Sequence, residues 1–295
     1  MRRARSLACG PVPVTRRRLL LSSLVLAAVI AALVASLGGG TSAGAGAKGL
    51  ARHSAKQRVR ARRASAPAYP SRAAIAAAVR YLDGRAGRTS LAVLDSSGRL
   101  SGTRLREHFQ SASVVKVMFL TAFLQRLAAD HVGLSALDRS LLYPMIHESN
   151  NDDASAVLER DGLTAVARVA REAGMQDYAP GVGWWAYTQT SAADQARFFI
   201  AIERLIPRQF WPYARGLMDG IEAEQSWGIP EVARPRWQVF FKTGALPSEG
   251  LFNEVALLER GPVRFTVAVF TDDDPSMAYG EQTIEGVAER LLGGS

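Results

Sequence analysis

The first 72 residues contain fourteen lysines and arginines and no acidic side chain, and the chain changes character after them. Outside one apolar run, such a segment has too little patterned hydrophobicity to offset the entropy of ordering it. The fold must therefore be built from the 223 residues Ala73–Ser295, a length that suits one large domain with a substantial core. Of the 36 basic residues, 14 precede Ala73, which leaves 22 against 27 acidic ones and a domain charge of −5 inside a chain of +9. The excess of positive charge lies on a tail and not on a patch of a folded surface, so no nucleic-acid partner is implied.

The tail is ordered in its own way. Thr15-Arg16-Arg17-Arg18 leads into a nineteen-residue apolar run, Leu19 to Leu37, followed by Gly38-Gly39-Gly40. That length falls between the roughly 7–15 residues of a signal-peptide core and the roughly 20 that span a bilayer. Residues 1–40 thus read as a signal peptide or a membrane anchor, and either places the domain outside the cytoplasm. Positive charge before the run predicts an Nin–Cout anchor, whereas Ala45-Gly46-Ala47 offers a cleavage site; the paired arginines also resemble a twin-arginine signal. Residues 41–72 read as a basic low-complexity linker, either a solvated spacer or a contact for anionic lipid or wall polymer. The single cysteine, Cys9, precedes the apolar run, so the domain holds no disulfide and depends on packing.

Within the domain the periodicities predict an α+β class. A helix over 73–82 is followed by a strand over 89–95, a turn at Ser96-Ser97-Gly98 and a partner strand over 100–104. Residues 114–129 read as a strongly apolar helix. Residues 153–173 read as one or two helices interrupted near Asp161-Gly162, and 192–206 as a helix capped by Ser191. Strands over 237–243, 251–259 and 263–271 precede a last helix over 279–292. Strands at both ends with helices between them predict one antiparallel sheet assembled from distant segments, with a helical subdomain inserted between its first and last strands.

From Ala73 onward there are twenty arginines and only two lysines, Lys116 and Lys242. A guanidinium stays protonated in proteins, whereas a lysine amine gives up its proton when its surroundings depress its pKa. Each lysine stands in a short motif: Ser113-Val114-Val115-Lys116 and Lys242-Thr243-Gly244. Ser113 and Lys116 open the first long apolar helix, three residues apart, so their side chains share a face. A serine hydroxyl becomes a nucleophile when a neighbouring base takes its proton, and backbone N–H groups at a helix start can stabilise an oxyanion. Ser149-Asn150-Asn151 adds a hydroxyl to relay a proton and an amide to bind a carbonyl.

In this order, S-x-x-K, S-x-N and K-T-G resemble the penicillin-recognising superfamily of serine β-lactamases and DD-peptidases. With Phe109-Gln110-Ser111-Ala112-Ser113 ahead of the first motif and Thr190-Ser191-Ala192 opening the later helix, the chain is most similar to class A β-lactamases from Ala73 to its end. The resemblance implies Ser113 as the acylated nucleophile, Lys116 as its proton acceptor or relay, and Ser149 as the group that passes a proton to the leaving nitrogen. It implies Asn151 on the substrate's amide side chain, Lys242 and Thr243 of the Lys242-Thr243-Gly244 motif on its carboxylate, and the N–H groups of Ser113 and Ala245 as the oxyanion hole. The substrate class it implies is a β-lactam or a D-Ala-D-Ala-like peptide.

One departure limits the resemblance. Class A β-lactamases hydrolyse the acyl-enzyme with a glutamate in the loop after the second motif, and here residues 176–189 read QDYAPGVGWWAYTQ, with Asp177 as the only carboxylate. The interval between Ser113 and Ser149 is also short for that class. Three readings follow: an exported serine acyl-enzyme hydrolase, a peptidoglycan DD-peptidase, and a penicillin-binding or sensing module that acylates without turnover. No metal or other cofactor is implied, because His108, His131 and His147 lack ligand spacing. Trp184, Trp185 and Tyr187 are either an aromatic wall for a substrate side chain or a cover for the core. Glu254 and Glu259 lie on a strand without an assigned role.

Overall fold

A computed structural model describes residues 69–293. The expected signal peptide or anchor and nearly all of the basic linker lie outside the described residues. Packing begins slightly before Ala73: the Tyr69 hydroxyl donates to Val93 O at 3.1 Å, and the Ser71 side chain caps the first helix by accepting from Ala74 N–H.

In chain order, helix α1 (Arg72–Asp83) is followed by strands β1 (Arg88–Asp95), β2 (Leu100–Thr103) and β3 (Phe109–Gln110), then helices α2 (Lys116–Ala129), α3 (Ala136–His147) and α4 (Asn151–Ala173). Strand β4 (Gln189–Thr190), helices α5 (Ala192–Leu205), α6 (Trp211–Asp219) and α7 (Ile229–Ala233), strands β5 (Gln238–Leu246), β6 (Leu251–Arg260) and β7 (Val263–Asp272), and helix α8 (Met277–Leu292) complete the domain. The main sheet is five-stranded and antiparallel in the order β2-β1-β7-β6-β5, so both ends of the domain build one sheet with the helical region inserted between them, as the α+β reading expects.

Helices α1 and α8 pack together, and α8 and α5 lie against the sheet. Strands β1, β5, β6 and β7 are buried along nearly their whole length. This explains why Val239-Phe240-Phe241 and Val255-Ala256-Leu257-Leu258 read as unbroken apolar runs and not as alternation, the pattern of strands covered on both faces. Helix α2 is the core of the helical region, with Phe119, Leu120, Phe123 and Leu124 at most 1% exposed.

The two-residue strands matter for the site. β3 pairs with β4, Phe109 opposite Thr190 and Gln110 opposite Gln189, and thereby ties the approach to Ser113 to the end of the 176–188 loop. The interruption expected near Asp161-Gly162 is present: Gly162 has φ 76° and ψ 161°, a conformation that glycine adopts without penalty, and it kinks α4. Helices α3, α6 and α7 were not foreseen. Pro144 inside α3 hides its helical pattern, although the Ser135–Asp138 capping box marks its start, and α7 spans only five residues.

Candidate active site

Ser113 lies in a 3₁₀ turn, Ala112–Val115, and α2 starts at Lys116. The expected helical face therefore becomes a 3₁₀ register, in which residues i and i+3 eclipse and still align. The turn is held from both sides: Ser111 N–H donates to Thr188 O at 2.8 Å, and Val114 and Val115 are fully buried. That anchoring keeps Ala112 at φ 46°, a left-handed conformation that costs a non-glycine residue about 1–2 kcal/mol. The outcome is a serine only partly buried between buried neighbours.

Lys116 is fully buried, and its Nζ contacts Ser149 O, Ser149 Oγ at 3.2 Å and Asn151 Oδ1 at 2.8 Å. Ser113 Oγ is not among these partners. Ser149 reaches the amine with both oxygens because its own φ is 57°, again left-handed. The Trp185 ring centroid is 5.1 Å from Nζ. Burial, and then the positive charge of Lys242, lower the Lys116 pKa to about 6, with Asp153 opposing them weakly. The lowered pKa lets the amine give up its proton and so act as an acceptor for another.

Lys242 is also fully buried, on the edge strand β5, and its Nζ donates to Gln225 Oε1 at 3.1 Å. Burial lowers its pKa to about 7, while the charges of Glu222 and Glu254 push the other way. Glu254, opposite Thr243 in the sheet, is fully buried, and burial raises its pKa well above the usual carboxyl range. Its Oε2 accepts Ile229 N–H at 2.8 Å, and its Oε1 has no hydrogen-bond partner. Gly244 has a steric reason: a Cβ there would lie 2.8 Å from Ser113 N, 2.9 Å from Ser111 O and 2.9 Å from Val114 N. Only glycine lets β5 close on the Ser113 turn, which brings the backbone of Ala245, the next residue, near that of Ser113.

The loop between the second motif and α5 presents no carboxylate to Lys116. Asp177 is committed elsewhere: Arg106 donates to it at 2.6 Å from Nη2 and 3.1 Å from Nε, and Ser191 Oγ donates at 2.8 Å. Burial would raise its pKa, but these bonds outweigh burial and hold it below the usual value. The loop instead delivers Trp185, whose Nε1 donates to Ser155 Oγ at 3.0 Å and whose ring stands edge-on to Phe119. Trp185 is buried, while Trp184 beside it is 37% exposed, so the pair is in part core cover and in part open surface. His147 stacks on Tyr143 with ring centroids 4.6 Å apart, and its carbonyl accepts Glu222 N–H at 3.3 Å.

All three motifs converge. Ser149 and Asn151 meet at Lys116, Lys242 lies close enough to influence it electrostatically, and Gly244 abuts Ser113. The residues that motif reading missed are Gln225 and Glu222, which lie between α6 and α7, where Ala223–Gln225 form one short 3₁₀ turn with no periodic signal. Glu254 was noticed but given no role. Its signal was a charge inside the apolar run Leu251-Phe252-Asn253-Glu254-Val255, opposite a motif strand.

A family model described as the beta-lactamase enzyme family matches residues 138–293, a span that holds Ser149, Asn151 and the Lys242 motif and starts after Ser113 and Lys116. No curated protein matches the chain. Similar solved structures include a beta-lactamase from Sphaerobacter thermophilus, with 20% identity and a TM-score of 0.65 over 74% of this chain and 95% of that one. A class A beta-lactamase from Mycobacterium abscessus aligns with 17% identity and a TM-score of 0.64 over 75% and 98% of the two chains. A beta lactamase from Xanthomonas campestris aligns with 18% identity and a TM-score of 0.66 over 75% and 96%. At these identities the likeness establishes the fold.

Proposed function

The chain belongs to the beta-lactamase enzyme family, and from that membership we propose that it is an exported serine hydrolase that opens a β-lactam or related amide through an acyl-Ser113 intermediate. Ser113 Oγ attacks the amide carbonyl and gives its proton to the Lys116 amine. The N–H groups of Ser113 and Ala245 hold the oxyanion. As the carbon–nitrogen bond breaks, Ser149 Oγ passes a proton to the leaving nitrogen, replenished from Lys116. Asn151 binds the substrate's amide side chain, and Lys242 with Thr243 binds its carboxylate. Water then hydrolyses the ester and frees Ser113. Export is proposed from the apolar run at 19–37 and the arginines before it.

The observation that carries this reading is the environment of Lys116, a buried amine of depressed pKa linked to Ser149 and Asn151, three residues from Ser113. The test is intact mass spectrometry of the full chain with benzylpenicillin, alongside nitrocefin turnover. A penicilloyl adduct on Ser113, absent from Ser113→Ala, is the expected result; nitrocefin turnover that survives Ser113→Ala would refute the assignment. Removing the nucleophile should cost on the order of a thousandfold or more.

A second reading, slow or absent turnover as in a DD-peptidase or a penicillin-binding module, is favoured by one specific observation. The loop that faces Lys116 brings an indole there, and its carboxylate, Asp177, is held by Arg106 and Ser191. An adduct that persists for hours would select this reading, and release of D-alanine from a pentapeptide would make the chain a DD-peptidase.

A further inference from the structure

Gln225 joins two parts of the site that no motif connects. Its Nε2 donates to Glu148 O at 2.7 Å, immediately before Ser149, and to Glu222 Oε1 at 2.8 Å, while its Oε1 accepts from Lys242 Nζ at 3.1 Å. This pattern fixes the amide's orientation, because the flipped rotamer would set NH₂ against an ammonium and an oxygen against two acceptors. The segment carrying Gln225 is itself pinned: Glu222 N–H donates to His147 O at 3.3 Å, and Ser226 Oγ donates to Glu222 O at 3.0 Å.

We propose that Gln225 is a specificity-determining residue that aims the Lys242 ammonium at an anionic group of the substrate. The proposal rests on Lys242 being the carboxylate anchor. A lysine head on a four-carbon stem has three donors and no fixed direction, so a binding role requires something to hold it. An acidic side chain would hold it by cancelling its charge, and an apolar one would leave a buried donor unpaired. A neutral amide takes one N–H and leaves the positive charge and two donors for an incoming carboxylate. Glu222 and Glu254 favour the charged form of Lys242 without pairing with it directly.

The test measures acylation of Ser113 in the full chain, purified in detergent, by benzylpenicillin and by its methyl ester, which lacks the anion. Gln225→Met should slow acylation by benzylpenicillin about tenfold, the worth of one charge-assisted bond, and leave the methyl ester within about twofold. The ester rate doubles as the control for a folded site. Equal losses on both substrates would reduce Gln225 to a structural support, and no loss on either would remove it from the site; both outcomes overturn the proposal and leave the acyl-enzyme reading intact. A wild-type chain that is acylated by neither substrate would overturn both.

Discussion

Two buried lysines of the same chain lie close enough that the charge of Lys242 lowers the pKa of Lys116, and their surroundings prepare them for different work. Lys116 meets neutral acceptors, the oxygens of Ser149 and Asn151, together with an indole face and the charge of the other lysine. Lys242 meets an amide oxygen and the fields of two carboxyl groups, Glu222 and Glu254. Desolvation acts on both. The neighbours set the difference, because a second cation lowers Lys116 further while two carboxyl groups hold Lys242 higher, so residue identity at a motif position is only half of its chemistry.

The largest effect is expected at Lys116. Lys116→Arg keeps a cation but supplies a group that does not release its proton, and should slow acylation of Ser113 on the order of a thousandfold. Acylation at the parent rate would show that the amine is no base. A smaller effect is expected at Lys242, where charge suffices: Lys242→Arg should weaken binding of an anionic substrate about tenfold, mainly in KM.

The same substitution should change the pH profile. The acylation rate should rise through about pH 6 as Lys116 loses its proton and fall above about pH 7 as Lys242 loses its charge. Lys242→Arg should abolish the alkaline fall and leave the acid limb in place. A profile unchanged by this substitution would assign the alkaline limb to another group.

The smallest catalytic effect is expected at Asp177. Asp177→Asn removes the charge that Arg106 and Ser191 hold, and should lower stability by about 1–3 kcal/mol while acylation and deacylation rates stay within about twofold. A deacylation rate that collapses in this variant would make Asp177 the missing base.

The three motifs were legible in the sequence from their residue types and their order. Gly244 is demanded by contact with the Ser113 turn, and the scarcity of lysine singled out Lys116 and Lys242. The sheet was legible for a related reason: strands covered on both faces write themselves as apolar runs. Gln225 was not legible, because its importance comes from where an irregular segment between α6 and α7 settles in space. The position of Trp185 beside Lys116 likewise depends on the β3–β4 pairing, two residues long, which carries no periodic signal. Glu254 was visible as an odd charge on a strand, but its neighbours, Ile229 and Lys242, are brought to it only by tertiary packing.

The central claim is that Lys116 is neutral at working pH. It can be read directly, because the full chain contains only four lysines: Lys48, Lys56, Lys116 and Lys242. Selective ¹³Cε labelling of lysine, with NMR signals assigned through Lys116→Arg and Lys242→Arg, follows each titration separately. The Lys116 signal is expected to titrate near pH 6 and the Lys242 signal near pH 7. A Lys116 signal that titrates at the ordinary lysine value of about 10.4 would contradict a neutral amine.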